Sequence, residues 1–201
     1  MDKQFKKIVK EIRVHYPELS DESAEIFLKN ATYVQHKNKE TILTSELSST
    51  HSFLVVKGCA KGYYIDKNKQ EKIVVLVAEG DFGGDSTALF NHQAAKLTFE
   101  SIGKTNVIVF NFSELESISN QNKELGQLYV QSLKRTIAIL TERIDSMINM
   151  THEERYIDLL EKNPLFLKSV FDKHIANYIG ITPVSLSRII KRVEENQVKQ
   201  S

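Results

Sequence analysis

Residues 175–193 read IANYIGITPVSLSRIIKRV. Ile175, Ala176 and Ile179 recur on one face of a helical pattern. Gly180 follows, the residue expected where a helix ends in a left-handed turn. Thr182 offers a hydroxyl to cap a second helix, and Pro183 suits its first position, where an N–H has no intrahelical use. Leu186, Ile189, Ile190 and Val193 continue a buried stripe. The stretch predicts two short helices joined by a tight turn. A helix-turn-helix also needs a small residue where its helices cross. Ala176, four before the turn glycine, supplies it, and Ile175, Ile179, Ile181, Leu186 and Ile189 fill the surrounding apolar positions. Thr182, Pro183 and Val184 open the second helix, and Ser185, Ser187, Arg188, Lys191 and Arg192 lie on its other face. Together they are the candidate DNA-contacting set, since hydroxyls and cations reach phosphates and base edges. An ordinary helical hairpin with a solvated basic face accounts for the same residues.

The rest of the chain bounds that choice. Its 201 residues hold one large domain or two small ones. An apolar share of 41% with 26% charged residues is ordinary for a soluble globular protein. No apolar run approaches the ~20 residues that span a bilayer. The opening MDKQFKKIVKEIRVHYPEL has no signal-peptide core. A cytoplasmic location without a membrane partner is expected. The single cysteine, Cys59 in FLVVKGCAKGYYI, allows neither an internal disulfide nor a four-cysteine cluster and reads as a buried bystander. The net charge of +1 is uneven: from Pro164 onward six Lys/Arg stand against three acids, which leaves −2 for the remainder. That asymmetry fits a DNA-facing C-terminal module on a neutral-to-acidic partner domain. The excess is small enough that useful affinity needs two copies bound together.

Along the chain, residues 3–16 and 20–30 read as helices, with Ser20 as a cap and Pro17 between them. From Ala31 to Phe112 come short runs rich in β-branched and aromatic residues: ETILT, SFLVVKG, AKGYYI, KIVVLVA, KLTFESI and NVIVFNF. Asp66–Lys69, DKNK, reads as a hairpin turn. Strands at this spacing predict a barrel or sandwich. Ser113–Glu116 is a capping box that marks a return to helix. A long helix is predicted from about Asn122 to Asn149. On it Val130, Leu133, Ile137, Leu140, Ile144 and Met147 recur at alternating gaps of three and four, a two-stranded coiled-coil seam. Packing on the protein's own sheet is the other use for such a face. Thr151–Glu154 is a second capping box, so a new helix starts there and stops before Asn163-Pro164, leaving a hinge near Asn149–Thr151.

This order resembles the CRP/FNR family of bacterial transcription regulators, the relatives of the cyclic AMP receptor protein. GDFGGD at 80–85 and IANYIGITPVSLSRI at 175–189 carry the resemblance, supported by EERYIDLLEKNP at 153–164. The resemblance implies an α+β fold. Residues 1–120 would form an N-terminal double-stranded β-helix, a jelly roll of the cyclic-nucleotide-binding type, with its N-terminal helices. Residues 121–150 would form the long dimerisation helix and hinge, and 151–201 the helix-turn-helix domain. It further implies a homodimer on two-fold-symmetric double-stranded DNA, with half-sites about 34 Å apart, and RNA polymerase as a protein partner. In cyclic-nucleotide-binding members the residue at Asp85 is an acid for the ribose hydroxyl, usually Glu. Gly83 and Gly84 would admit a phosphate close to the backbone. With Ser86, Lys96, Thr98 and Thr136 these make the expected effector pocket.

The departures are informative. Where the family places Arg-Ser on the cyclic phosphate, this chain has Ala94-Ala95-Lys96, and a lysine lacks the bidentate fork. The family's hydroxyls on the long helix fall near apolar Ile139, with Thr136 and Thr141 nearest. An effector other than classical cyclic AMP is expected, or none, with GDFGGD surviving as a barrel turn; no cofactor is assigned. Pro183 and Val184 stand where the family often has Arg-Glu, whereas Arg188 matches a contacting arginine, and Val184 suits a thymine methyl. The family's β-hairpin wing is expected to be missing after QVKQS. A ligand-sensing dimer that no longer reads DNA and acts through proteins is the alternative. Catalysis is not expected: the six histidines form no His-x-His pair for a cupin-type metal site, and no nucleophile arrangement stands out. No metal site is assigned, though haem held by a histidine stays open.

Overall fold

The structure is a computed structural model and describes residues 3–162, 167 and 170–200. Six strands form one antiparallel sheet: β1 (Ala31–His36), β2 (Thr41–Leu43), β3 (His51–Ile65), β4 (Glu71–Val77), β5 (Phe82–Gly83) and β6 (Thr98–Asn111). Their order is β1-β6-β3-β4, with β2 on β6 and β5 on β3. SFLVVKG and AKGYYI, read as separate runs, are one strand of 15 residues, and KLTFESI with NVIVFNF likewise merge into β6. The glycines between them bend the strands rather than end them.

The two faces of β3 serve different cores. Phe53 and Val55 point into the roll, where Phe53 meets the edge of Phe99. Leu54 and Val56 point outward under the helices. This is the ordinary period of two. The register against β6 then shifts on both sides of Lys57, beside Gly58 at φ 93°. An extra residue at a bulge exchanges the faces. Beyond it Ala60 is inside, while Cys59 faces out and joins Ile102 in a separate cluster.

Helices α1 (Lys3–Arg13) and α2 (Asp21–Lys29) cover the outer face through Val9, Ile12 and Phe27. α1 ends three residues before the expected Tyr16, whose hydroxyl donates to Gly80 O at 2.9 Å. Ser20 caps α2 by accepting from Ser23 N. A short helix not anticipated from sequence, α3 (Ser86–Asn91), follows β5. α4 (Phe112–Gln121) is capped by Asn111 and not by Ser113: the Asn111 Oδ1 accepts from Ser113 N and Glu114 N. An Asn two residues earlier satisfies the orphan N–H groups of the first turn.

α5 (Lys123–Asn149) is capped by Asn122 and is about 40 Å long at 1.5 Å per residue. α6 (His152–Lys162) starts with the reciprocal box as read: Glu154 N donates to Thr151 Oγ1 at 3.3 Å, and Thr151 N to Glu154 Oε2 at 2.7 Å. The expected stop at Asn163-Pro164 lies outside the described residues. α7 (Asp172–Ile179) and α8 (Pro183–Gln200) are joined by a turn with Gly180 at φ 82°. Ile181 N closes it by donating to Ala176 O, a six-to-one bond. Thr182 Oγ1 then accepts from Ser185 N at 3.1 Å.

The bulge gives a first test. A Cβ at Gly58 would sit 2.5 Å from Lys104 O, on a backbone conformation that side chains disfavour. Gly58→Ala should lower stability in urea unfolding by about 2–3 kcal/mol, combining strain with overpacking. A change below about 0.5 kcal/mol would show that the bulge relocates freely.

Candidate functional site

Three surfaces bear on function: a cavity in the roll, a stripe on α5, and the outer face of α8. The cavity holds about 250 Å³. Gly83, Gly84, Asp85, Ser86, Lys96 and Thr136 all line it. Thr98 does not; Leu97 lines the cavity, so its neighbour on the strand turns the other way. The rest of the wall is mostly apolar, with Val75, Val77, Leu97 and Leu140, and Tyr64 and Thr87 complete it. A narrower aromatic recess, edged by Phe90, Phe112 and Tyr129, opens from the same glycines.

Asp85 is buried and accepts three backbone hydrogen bonds. Its Oδ1 accepts from Ala88 N at 3.2 Å and so caps α3. Its Oδ2 accepts from Lys96 N at 2.8 Å and Leu97 N at 3.1 Å. The carboxylate therefore ties the 96–97 segment to the glycine turn. Its lone pairs are taken by three backbone N–H groups and leave little for a ribose hydroxyl. The Lys96 side chain is exposed at the cavity mouth, and no arginine is among the lining residues. Gly83 is required by packing, since a Cβ there would run into the Phe53 ring.

On α5 the six seam positions divide. Val130, Ile137, Ile144 and Met147 are 46%, 63%, 61% and 43% exposed, an apolar ridge that the described residues leave largely open, with only the Met147 sulfur taken up, by Arg155 Nη1 at 3.1 Å. Leu133 and Leu140 are half-buried and turn toward the recess and the cavity. One helix thus carries an open ridge and an inner wall. Arg135 holds it to the roll, its Nη2 lying 2.7 Å from the Asp81 carboxylate.

At the C-terminal end Thr182, Pro183, Val184, Ser187, Arg188, Lys191 and Arg192 are exposed. Ser185 is half-buried and spends its hydroxyl on Thr182 Oγ1, 3.0 Å away. Arg192 Nη1 lies 2.6 Å from Glu153 Oε2 of α6, so its charge is partly neutralised. Arg188 borders the groove between α6 and α8 and makes no ion pair among the described residues. Sequence reasoning missed the residues that seat this unit: Asn177 on β4, Arg143 on Tyr178 O and Arg155 on Ile179 O. Their signal was faint, polar side chains on otherwise apolar helix faces.

Among the described residues no group of three or more His, Cys, Asp or Glu side chains is placed to hold a metal ion. Burial pushes the Cys59 thiol well above its usual range, so it is unreactive at neutral pH. No described helix is long and apolar enough to cross a membrane.

Residues 33–122 match the cyclic nucleotide-binding domain family. The chain is 21% identical over 199 residues to a probable transcriptional regulator, flp, of Lacticaseibacillus casei, covering 91% of this chain and 85% of that one. FixK2 from Bradyrhizobium japonicum has the same fold at TM-score 0.69 and 18% identity, over 83% of this chain and 86% of that one. The c-di-GMP-responsive global regulator CLP of Xanthomonas campestris also superposes at 0.69, with 12% identity over 89% and 93% of the two chains. A CRP/FNR-family transcriptional regulator of Eubacterium rectale, a solved structure described as putative, gives 0.65 at 13% identity over 90% and 86%.

The engagement of Asp85 is testable without any ligand. Asp85→Ala removes a helix cap, worth about 1 kcal/mol, and two further charge-assisted bonds, worth about 1.5–3 kcal/mol each. A loss of at least about 2 kcal/mol in urea unfolding is expected. A loss under about 0.5 kcal/mol would mean the carboxylate is spare and available to a ligand.

Proposed function

We propose that this chain, which carries a cyclic nucleotide-binding domain and resembles the CRP/FNR regulators along its length, is a homodimeric DNA-binding transcription regulator controlled by a small molecule other than classical cyclic AMP. The observation that carries the DNA reading is the outer face of α8. It begins at a capped turn, rests on an apolar core of Ile175, Ile179, Leu186 and Ile189, and offers Ser187, Arg188 and Lys191 to solvent. That is the disposition by which a second helix enters a major groove. Exposed Val184 suits a thymine methyl there.

The dimer reading rests on the ridge of Val130, Ile137 and Ile144, spaced seven apart. Three β-branched residues at one heptad position favour a two-stranded parallel coil. Burying them against a second copy removes a long apolar stripe from water. The effector reading rests on the cavity. Its largely apolar wall, engaged acid and lone exposed lysine suit a ligand other than a ribose cyclic phosphate. RNA polymerase is the partner such a regulator would engage once seated on DNA.

Selection from a random duplex library with the full chain, at moderate salt and without ligand and then with cyclic nucleotides, tests the reading. An enriched two-fold-symmetric site is expected. Failure to enrich any duplex under either condition would favour a sensor that acts through proteins.

Four variants sharpen this. Arg188→Ala should cost about 1–3 kcal/mol in discrimination at one base position by gel shift on the selected site. Glu153→Gln releases Arg192, and should raise affinity for random duplex and steepen its log–log salt slope by roughly 0.9. Ile137→Glu should shift sedimentation to the monomer through an unpaired charge in the seam. Leu140→Glu, on the inner wall, should weaken the dimer less and disturb the roll more.

A further inference from the structure

The α7–α8 pair does not hang free from α6. Asn177 of α7 lies on the outer edge of β4, the last strand in the sheet order. Its Nδ2 donates to Glu71 O at 2.7 Å, and Ile73 N donates to its Oδ1 at 2.8 Å. These are main-chain groups of alternate residues on the side of β4 turned away from β3. A carboxamide offers the same donor and acceptor as a peptide unit. The Asn177 side chain therefore does at this edge what a further strand would do.

Three other contacts converge on α7. Cys59 and Ile102, turned outward past the bulge, join Ile175, Ala176 and Ile179 in one apolar cluster. Lys61, also on the outer face of β3, is only 1% exposed and is paired with Glu71 and Glu100. From the opposite side Arg143 of α5 donates to Tyr178 O and lies 3.9 Å over the Tyr178 ring. Arg155 of α6 donates to Ile179 O at 2.8 Å. Those carbonyls belong to the last turn of α7, which has no intrahelical partners for them.

We propose that the outer edge of β4 is a docking site for the chain's own C-terminal helix pair, with Asn177 as the positioning residue that fixes where α8 stands relative to the sensor sheet. Docking leaves Arg188 and Val184 exposed, so it sets the position of the reading face without hiding it. In a two-fold dimer that position decides the separation of the two α8 helices, which DNA requires to be about 34 Å.

The docked state is also sensitive to protons. His174 of α7 is buried at this contact and faces Lys61 of β3, Glu71 of β4, Glu100 of β6 and its neighbour Lys173. Burial first, and then the two lysines, lower its pKa to about 4, against the pull of the two carboxylates. Undocked, the imidazole returns toward its ordinary value near 6.5. The undocked form then binds the proton more tightly. Docking is therefore at full strength above about pH 6.5 and weakens as the pH falls from there toward 4.

Residue-resolved hydrogen exchange on the full chain tests this, each rate taken relative to the unfolded-chain rate at the same pH. The Lys72 amide, which alternation turns toward β3, is the internal control for an intact sheet. In Asn177→Leu the protection of Ile73 should fall by at least about tenfold while Lys72 is unchanged. Asn177→Ala, which also removes the acceptor for Ile73 N but adds no bulk, serves if the leucine variant unsettles Lys72. Unchanged Ile73 protection overturns the docking. In the wild type Ile73 protection should also fall between pH 7.5 and 5, and His174→Leu should remove that fall; its persistence would overturn the proton linkage. The positioning role rests on the DNA-binding reading. With a selected site, Asn177→Leu should lower the ratio of two-half-site to single-half-site affinity by about fivefold or more. An unchanged ratio overturns positioning. Failure of the wild type to bind any duplex would sink the regulator reading and leave docking to be judged by exchange.

Discussion

The architecture depends on one exchange of faces in one strand. β3 is long enough to serve two partners, but a regular strand shows each partner the same alternate residues. The bulge at Gly58 breaks that rule. Before it, the even positions Leu54 and Val56 support α1 and α2 while Phe53 and Val55 fill the roll. After it, odd Cys59 faces outward and the inward position falls to small Ala60. Without the exchange Cys59 would point into the roll, and α7 would meet a different set of side chains. Lys61 follows the same logic. Its charge is stable on the outer face only because Glu71 and Glu100 arrive from the neighbouring strands and the Tyr63 ring lies 4.6 Å below.

α5 extends this arrangement beyond the sheet. Its inner residues close the cavity, its outer ridge is bare, and its last turns reach α7 through Arg143. The clamp of Arg135 on Asp81 fixes the helix to the turn that enters β5. A ligand that altered the fit at Thr136 or Leu140 would therefore act on a helix held at Asp81 and attached to α7 further along. Packed elements shift between discrete arrangements more readily than they bend. A small change at the cavity then has two routes to α8, along α5 and across β4.

Much of this was legible in the sequence, for specific reasons. The α7–α8 pair was readable because Gly180, Thr182 and Pro183 each have one strong local use, and Ala176 marks the crossing. The α5 seam was readable from its spacing alone, yet spacing did not separate the ridge from the inner wall. That division depends on where the roll stands, which no local pattern encodes. The merging of four runs into β3 and β6 was missed because glycines that bend a strand look like glycines that end one. Asp85 was read through a resemblance as a ligand acid. Its actual partners, Lys96 N and Leu97 N, lie eleven and twelve residues away and are set by the closing of the turn. Asn177 was invisible for the same reason, since an asparagine in a short helix has no local signature for a sheet edge more than a hundred residues earlier.

The electrostatics of α8 explain why its position matters as much as its composition. Lys191 is within 3.9 Å of Glu195, and Arg192 is paired with Glu153. Only Arg188 presents an uncompensated charge among these cations, so one copy has little hold on phosphates. Affinity must come from two copies engaging together, and that gain vanishes if their geometry does not match the duplex. A protein with a strongly basic reading helix tolerates loose placement, because non-specific attraction compensates for imperfect spacing. This chain lacks that margin. A rigid seat on β4, held by a carboxamide and two arginines, is the kind of constraint under which a weakly charged reading face becomes selective: a small shift of the seat changes pairing on both half-sites at once.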